Sequence, residues 1–255
     1  MLKIQTFGNK THITDLLIVH GLFGSGRNWR AIARNISSDR QVHVVDMRNH
    51  GESFWNADNS YESMAEDLKK IITSLKSPVD VLGHSMGGKA SMVLAINNPD
   101  LVNRLLIVDI APTKYQHDQS INISIMKNLP IDDLSCRSDA DLILKKTLPD
   151  DALRAFFLQS LIISPNGNSW QLNLDALDKN MDKIIGFPDV SGQFNGMTFF
   201  LKGELSNYIS DKDLPNINRL FPRNKIITIK NSGHWVHAEA TRDFLISVKE
   251  YLSGS

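Results

Sequence analysis

The stretch Gly83-His84-Ser85-Met86-Gly87 constrains this chain more than any other five residues, because an apolar run precedes it and a helical pattern follows. Val79 to Leu82 reads as a short buried strand, and Gly88 to Ala95 carries small and apolar residues at helical spacing. A serine between two glycines at a strand-to-helix turn is a nucleophile elbow, so tight that flanking side chains would collide. Glycine removes the collision and leaves the serine oxygen standing above a sheet edge. Gly83 to Lys89 also fits the G-x-x-x-x-G-K spacing of a phosphate-cradling loop. That loop needs Ser or Thr next to hold Mg²⁺, and Ala90 stands there, so the nucleotide reading is set aside.

The rest of the chain supplies the sheet that such a turn requires. Leu16–Val19, Val42–Val45, Leu105–Val108, Met197–Leu201 and Ile226–Ile229 are further strand-length apolar runs. Helix-periodic stretches separate them, the pattern of a mostly parallel, twisted sheet with helices on both faces. Met64, Leu68, Ile71, Ile72 and Leu75 predict a helix with Ser60 as N-cap, and Phe244, Ile246, Val248 and Leu252 a C-terminal one. Residues 112–195 break the alternation. Helical segments near 121–129, 140–148 and 152–163, punctuated by Pro130, Pro149, Pro165 and Pro188, predict a helical cap inserted between two strands. Residues 1–111 and 196–255 then form one core, with the cap over the strand ends where such sheets bind ligands.

Composition narrows the partners. Lys plus Arg and Asp plus Glu both number 28, so neither nucleic acid nor an anionic membrane is expected. The lone Cys136 allows no intrachain disulfide and, with no metal-ligand spacing or cofactor motif, no cofactor is expected. No long apolar run suggests a signal peptide or a membrane span, and a cytoplasmic protein is expected.

His20, Asp46, Ser85, Asp109, Glu204, Ser206 and His234 all follow strands, which gathers them at one sheet edge. A serine nucleophile needs a base, an acid that orients the base, and donors for an oxyanion. His234, in Ser232-Gly233-His234-Trp235, follows the last strand and is the favoured base. Asp109 is the favoured acid, with Glu204 and then Asp211 as alternatives; in Gly203-Glu204-Leu205-Ser206 a serine occupies the place where an aspartate would be read. Backbone N–H groups of Leu22 and Met86 are the oxyanion donors, the second at a helix N-terminus. Side chains of Leu22, Phe23 and Met86, with Trp235, would face an acyl group. Ser206 would hydrogen-bond near His234 or Asp109. His84 is read as packing away from Ser85, His20 as lining the oxyanion loop, and His237 as contacting the last helix. His12, His43, His50 and His117 are read as ordinary surface or packing residues. Arg48 is read as a structural ion pair and Lys89 as solvated or loop-paired.

Through these motifs the chain resembles the α/β-hydrolase superfamily, and more narrowly small bacterial esterases of the YbfF type. The resemblance runs through His20-Gly21-Leu22-Phe23-Gly24-Ser25, Asp46 to Ser53, Gly83 to Ala90, Val108-Asp109-Ile110-Ala111-Pro112 and Gly233 to Glu239. It implies a Ser85–Asp109–His234 triad assisted by Ser206, and hydrolysis of small-molecule acyl esters and of acyl-CoA thioesters through an acyl-enzyme. Carbon–carbon bond hydrolysis of diketones, or ligand binding without catalysis, are the alternative readings.

Overall fold

The computed structural model of the chain describes residues 1–116 and 119–254; His117 lies outside them. Strands β1 (Ile4–Phe7), β2 (Leu16–Val19), β3 (Val42–Val45), β4 (Val79–His84) and β5 (Val102–Val108) precede the excursion at 112–195. A two-residue hairpin, β6 (Leu161–Ile162) and β7 (Ser169–Trp170), lies inside it. Strands β8 (Met197–Gly203) and β9 (Asn224–Ile229) follow. The main sheet runs β1-β3-β2-β4-β5-β8-β9, with β1 antiparallel to β3 and every other pair parallel. This is an α/β-hydrolase fold.

Strands β2, β3 and β4 are buried at every residue, which is why they read as unbroken apolar runs instead of alternating ones. Their period of two still divides the core. Leu17, Val19, Val81 and Ile107 face helices α2 (Tyr61–Leu75) and α3 (Met86–Asn97). Leu16, Ile18, Leu82 and Val108 face α1 (Arg30–Ile36) and, through Phe244 and Val248, the C-terminal helix Thr241–Ser253. Ile246 was expected in that helix's buried stripe but is exposed; Tyr251 takes its place. Ser60 caps α2 as expected, its Oγ accepting from Ser63 N at 3.4 Å. Helix α3, which begins at the residue after Ser85, is buried on all sides through Ile96.

The excursion holds α4 (Ser120–Lys127), α5 (Arg137–Leu144), α6 (Asp151–Leu158), α7 (Leu174–Lys179) and α8 (Met181–Ile185). The first three match the expected segments; α7, α8 and the hairpin are additions. The excursion is fastened to the core largely through backbone carbonyls and amides. Gly51 N donates to Gln171 O at 2.8 Å, Asn173 N to Asn49 O at 3.0 Å, and Tyr61 Oη to Ile184 O at 2.6 Å. Lys89 Nζ, on α3, donates to Ile185 O and Gly186 O at 2.9 and 2.5 Å. Lys89 is therefore loop-paired rather than solvated, at 1 % exposure, and burial pulls its amine down to about 7. Among the described residues no helix is long and apolar enough to cross a membrane.

Candidate active site

Strand β4 delivers Ser85 in a backbone conformation that L-residues rarely adopt, φ 52° and ψ −122°. The flanking glycines are explained by close approach. A Cβ on Gly83 would lie 2.5 Å from Gly87 O, and one on Gly87 would lie 2.3 Å from His20 O. The elbow can therefore close only if both positions lack side chains.

His234 arrives from the loop after β9. Its Nε2 lies 3.0 Å from Ser85 Oγ, and its Nδ1 lies 2.8 Å from Asp109 Oδ2. A carboxylate can only accept, so the Nδ1–H donates to Asp109 and Nε2 is left to accept the serine proton. Asp109 follows β5, itself at φ 50°, and is fully buried. Gly203 N donates to its Oδ1 at 3.0 Å and Ser206 Oγ to its Oδ2 at 2.5 Å. Three donors thus satisfy a buried charge that would otherwise be costly. The two rival carboxylates stand elsewhere. Glu204 accepts from Asn231 N at 2.9 Å near the surface, and Asp211 opens the short turn Asp211–Asp213.

The loop from His20 to Gly24 presses against the elbow, since a Cβ on Gly21 would sit 3.1 Å from Ser85 Cβ. Neither Leu22 N–H nor Met86 N–H donates to any hydrogen bond seen among the described residues. The loop's shape comes from two buried histidines. His50 Nε2 accepts from Phe23 N at 3.2 Å, with Phe23 at φ 62°, and His50 Nδ1–H donates to Arg48 O at 2.8 Å. His20 donates through Nδ1 to Gly21 O at 2.8 Å and accepts through Nε2 from Met47 N at 2.9 Å. Burial lowers His20 to about 4; burial and the neighbouring His20 lower His50 to about 3. His50 is thus a buried loop strut, a role with no local sequence signal because its partners are distant backbone atoms.

The site opens into a cleft of about 940 Å³. Phe23 and Trp235 line it, joined by Phe156, Phe157 and Leu153 of α6 and by Tyr208. Phe23 and Phe157 meet edge to face at 5.4 Å, and Phe156 stands 5.8 Å from Trp235. Tyr208 lies flat on the His234 ring at 3.9 Å, a neighbour missed in sequence. The Met86 side chain was expected to face an acyl group. It packs into the core instead, because α3 turns that residue inward. Arg48 is a structural ion pair with Asp67 at 2.7 Å. His237 stacks on Trp29 at 4.1 Å and contacts Phe244 of the last helix.

The family described as "alpha/beta hydrolase fold" matches residues 15–241, and the chain belongs to it. Among its relatives, the sn-1-specific diacylglycerol lipase ABHD11 of Mus musculus is 38% identical over 247 residues, 93% of this chain and 80% of that protein. Esterase YbfF of Escherichia coli strain K12 is 30% identical over 256 residues, 99% of this chain and 98% of that one. A solved structure titled "Marine microorganism esterase" is 37% identical, with a TM-score of 0.93 over 98% of each chain.

Proposed function

We propose that this chain is a serine esterase that cleaves small-molecule carboxylic esters through an acyl-enzyme. Family and relatives make it a carboxylesterase-type hydrolase. Ser85 Oγ attacks the carbonyl carbon while His234 Nε2 takes its proton, and Asp109 holds the imidazole in the required tautomer. Leu22 and Met86 N–H groups receive the tetrahedral oxyanion. His234 then protonates the departing alkoxide, and a water activated by the same nitrogen releases the acid. Ser206 keeps Asp109 oriented, while Phe23 and Trp235 contact the substrate's apolar part. Residues 112–195 act as the cap that selects it. The same chemistry extends to acyl-CoA thioesters, whose thiolate leaves more readily. The single exposed Cys136 supports action in a reducing cytoplasm.

The observation that carries this reading is the unbroken relay Ser85 Oγ–His234–Asp109, at 3.0 and 2.8 Å, with the serine at a strained turn. The direct test is turnover of p-nitrophenyl esters and acyl-CoA substrates graded by chain length, with fluorophosphonate labelling of Ser85. Labelling and ester turnover that both vanish in Ser85→Ala support it. Ester turnover that survives the substitution overturns it.

A further inference from the structure

We propose that His84 is a positioning residue, its ring tying the elbow to the loop that carries His234 and so fixing where that imidazole stands. The inference rests on Ser85 and His234 acting as nucleophile and base. The His84 ring packs, as its place beside Ser85 in the sequence implies, at 4 % exposure. Its Nε2, however, lies 3.0 Å from the backbone carbonyl oxygen of His234 itself. A carbonyl can only accept, so Nε2 carries the proton and donates it. At the ring's other edge, a Cβ on Gly21 would come within 2.9 Å of Nδ1. One side chain therefore touches all three segments whose relative placement matters: its own elbow, the 20–24 loop, and the turn bearing His234.

The surroundings make this ring a rigid spacer. Trp29, His234 and His237 enclose it at centroid distances of 6.0, 4.8 and 5.0 Å. Burial, aided by the neighbouring His234 and His237, holds it well below the usual histidine range. It stays neutral when His234 becomes an imidazolium, so no like charge opposes that step. Asp109 governs rotation of the His234 ring, while His84 governs the position of the main chain from which the ring hangs. Small displacements of a reacting group are costly, because misplacement by about 1 Å can cost roughly 100-fold in rate.

The test compares His84→Leu, His84→Gln and His84→Asn in the full chain, with Ser85→Ala as control, on a p-nitrophenyl ester. Leucine fills space without donating. A glutamine amide reaches the Nε2 position, whereas asparagine is too short. We expect His84→Leu to lower kcat by about 10- to 100-fold with KM changed by less than about threefold. His84→Gln should recover most of the loss and His84→Asn should not. A folded His84→Leu enzyme with parental kcat overturns the proposal, as does a glutamine variant no faster than the leucine one. If the leucine variant does not fold, equal kcat for glutamine and asparagine overturns it. Activity that persists in Ser85→Ala sinks the underlying serine mechanism instead, whatever the His84 variants do.

Discussion

The sheet and the 112–195 excursion solve different problems with different materials. In the sheet, two members of the proposed relay, Ser85 and Asp109, directly follow strands at positive φ, and close backbone approach fixes the elbow around Ser85. The excursion is built from helices of five to eight residues and contributes no member of the Ser85–His234–Asp109 relay. Its share is apolar wall, chiefly Phe156, Phe157 and Leu153. The contrast teaches that rate should live in the sheet edge and selectivity in the excursion.

Substitutions can break that division, beginning with the largest effect. Ser85→Ala should lower kcat on p-nitrophenyl esters by roughly 10⁵-fold while the melting temperature stays near the parent's. Next, Asp109→Asn should cost roughly 10⁴-fold in kcat, because an amide favours the wrong imidazole tautomer. Glu204→Gln should stay within about twofold, and steady-state kinetics of the pair would reverse the assignment if only the second variant collapsed. In the excursion, Phe157→Ala should shift chain-length preference about tenfold in kcat/KM while sparing kcat on the shortest ester. It should also destabilise the fold by about 3 kcal/mol, read by denaturant unfolding. Equal loss on every ester would erase the division between rate and selectivity.

Acid offers a gentler probe of the same division. His20 and His50 are buried and His237 is half-buried at the cleft, and desolvation holds all three neutral, at about 4, 3 and 3. The unfolded chain takes up protons on them near pH 6.5, whereas the folded chain does not until about pH 4 or below. Stability is therefore complete above about pH 6.5 and is lost as pH falls toward 4, by an amount on the order of 3 kcal/mol for His20 alone. Melting curves from pH 7 to 4 should show this decline, and His20→Asn should flatten it. The smallest effect is expected at the Asn28–Gln159 hydrogen bond that links core to excursion at the cleft rim, 2.7 Å long and exposed. Gln159→Ala should cost less than about 1 kcal/mol and leave kcat unchanged.

Much of the fold is legible in the sequence. The buried parallel strands announce themselves as apolar runs, with Ser85 and Asp109 directly after two of them and His234 in the loop after β9, so these three are legible in the sequence. Strand β1 did not, because Ile4–Phe7 is a half-exposed antiparallel edge with little apolar signal. Helices α7 and α8 are too short, and too closely divided at Asn180, to establish a period. The choice between Asp109 and Glu204 depends on which strand end faces the His234 loop, which strand order decides and local sequence does not. The tasks of His50, His84 and Tyr208 are set by backbone atoms and rings far away in the chain, beyond the reach of spacing arguments.

The bond between Lys89 and the carbonyls at 185 and 186 has a consequence for anyone who would exchange caps among related enzymes. Lys89 sits one turn beyond Ser85, so a graft whose backbone does not return to positions 185 and 186 would remove its acceptors and leave a buried amine unpaired. A chimera that keeps residues 185 and 186 of this chain, or replaces the lysine along with the excursion, respects the seam that the molecule already has.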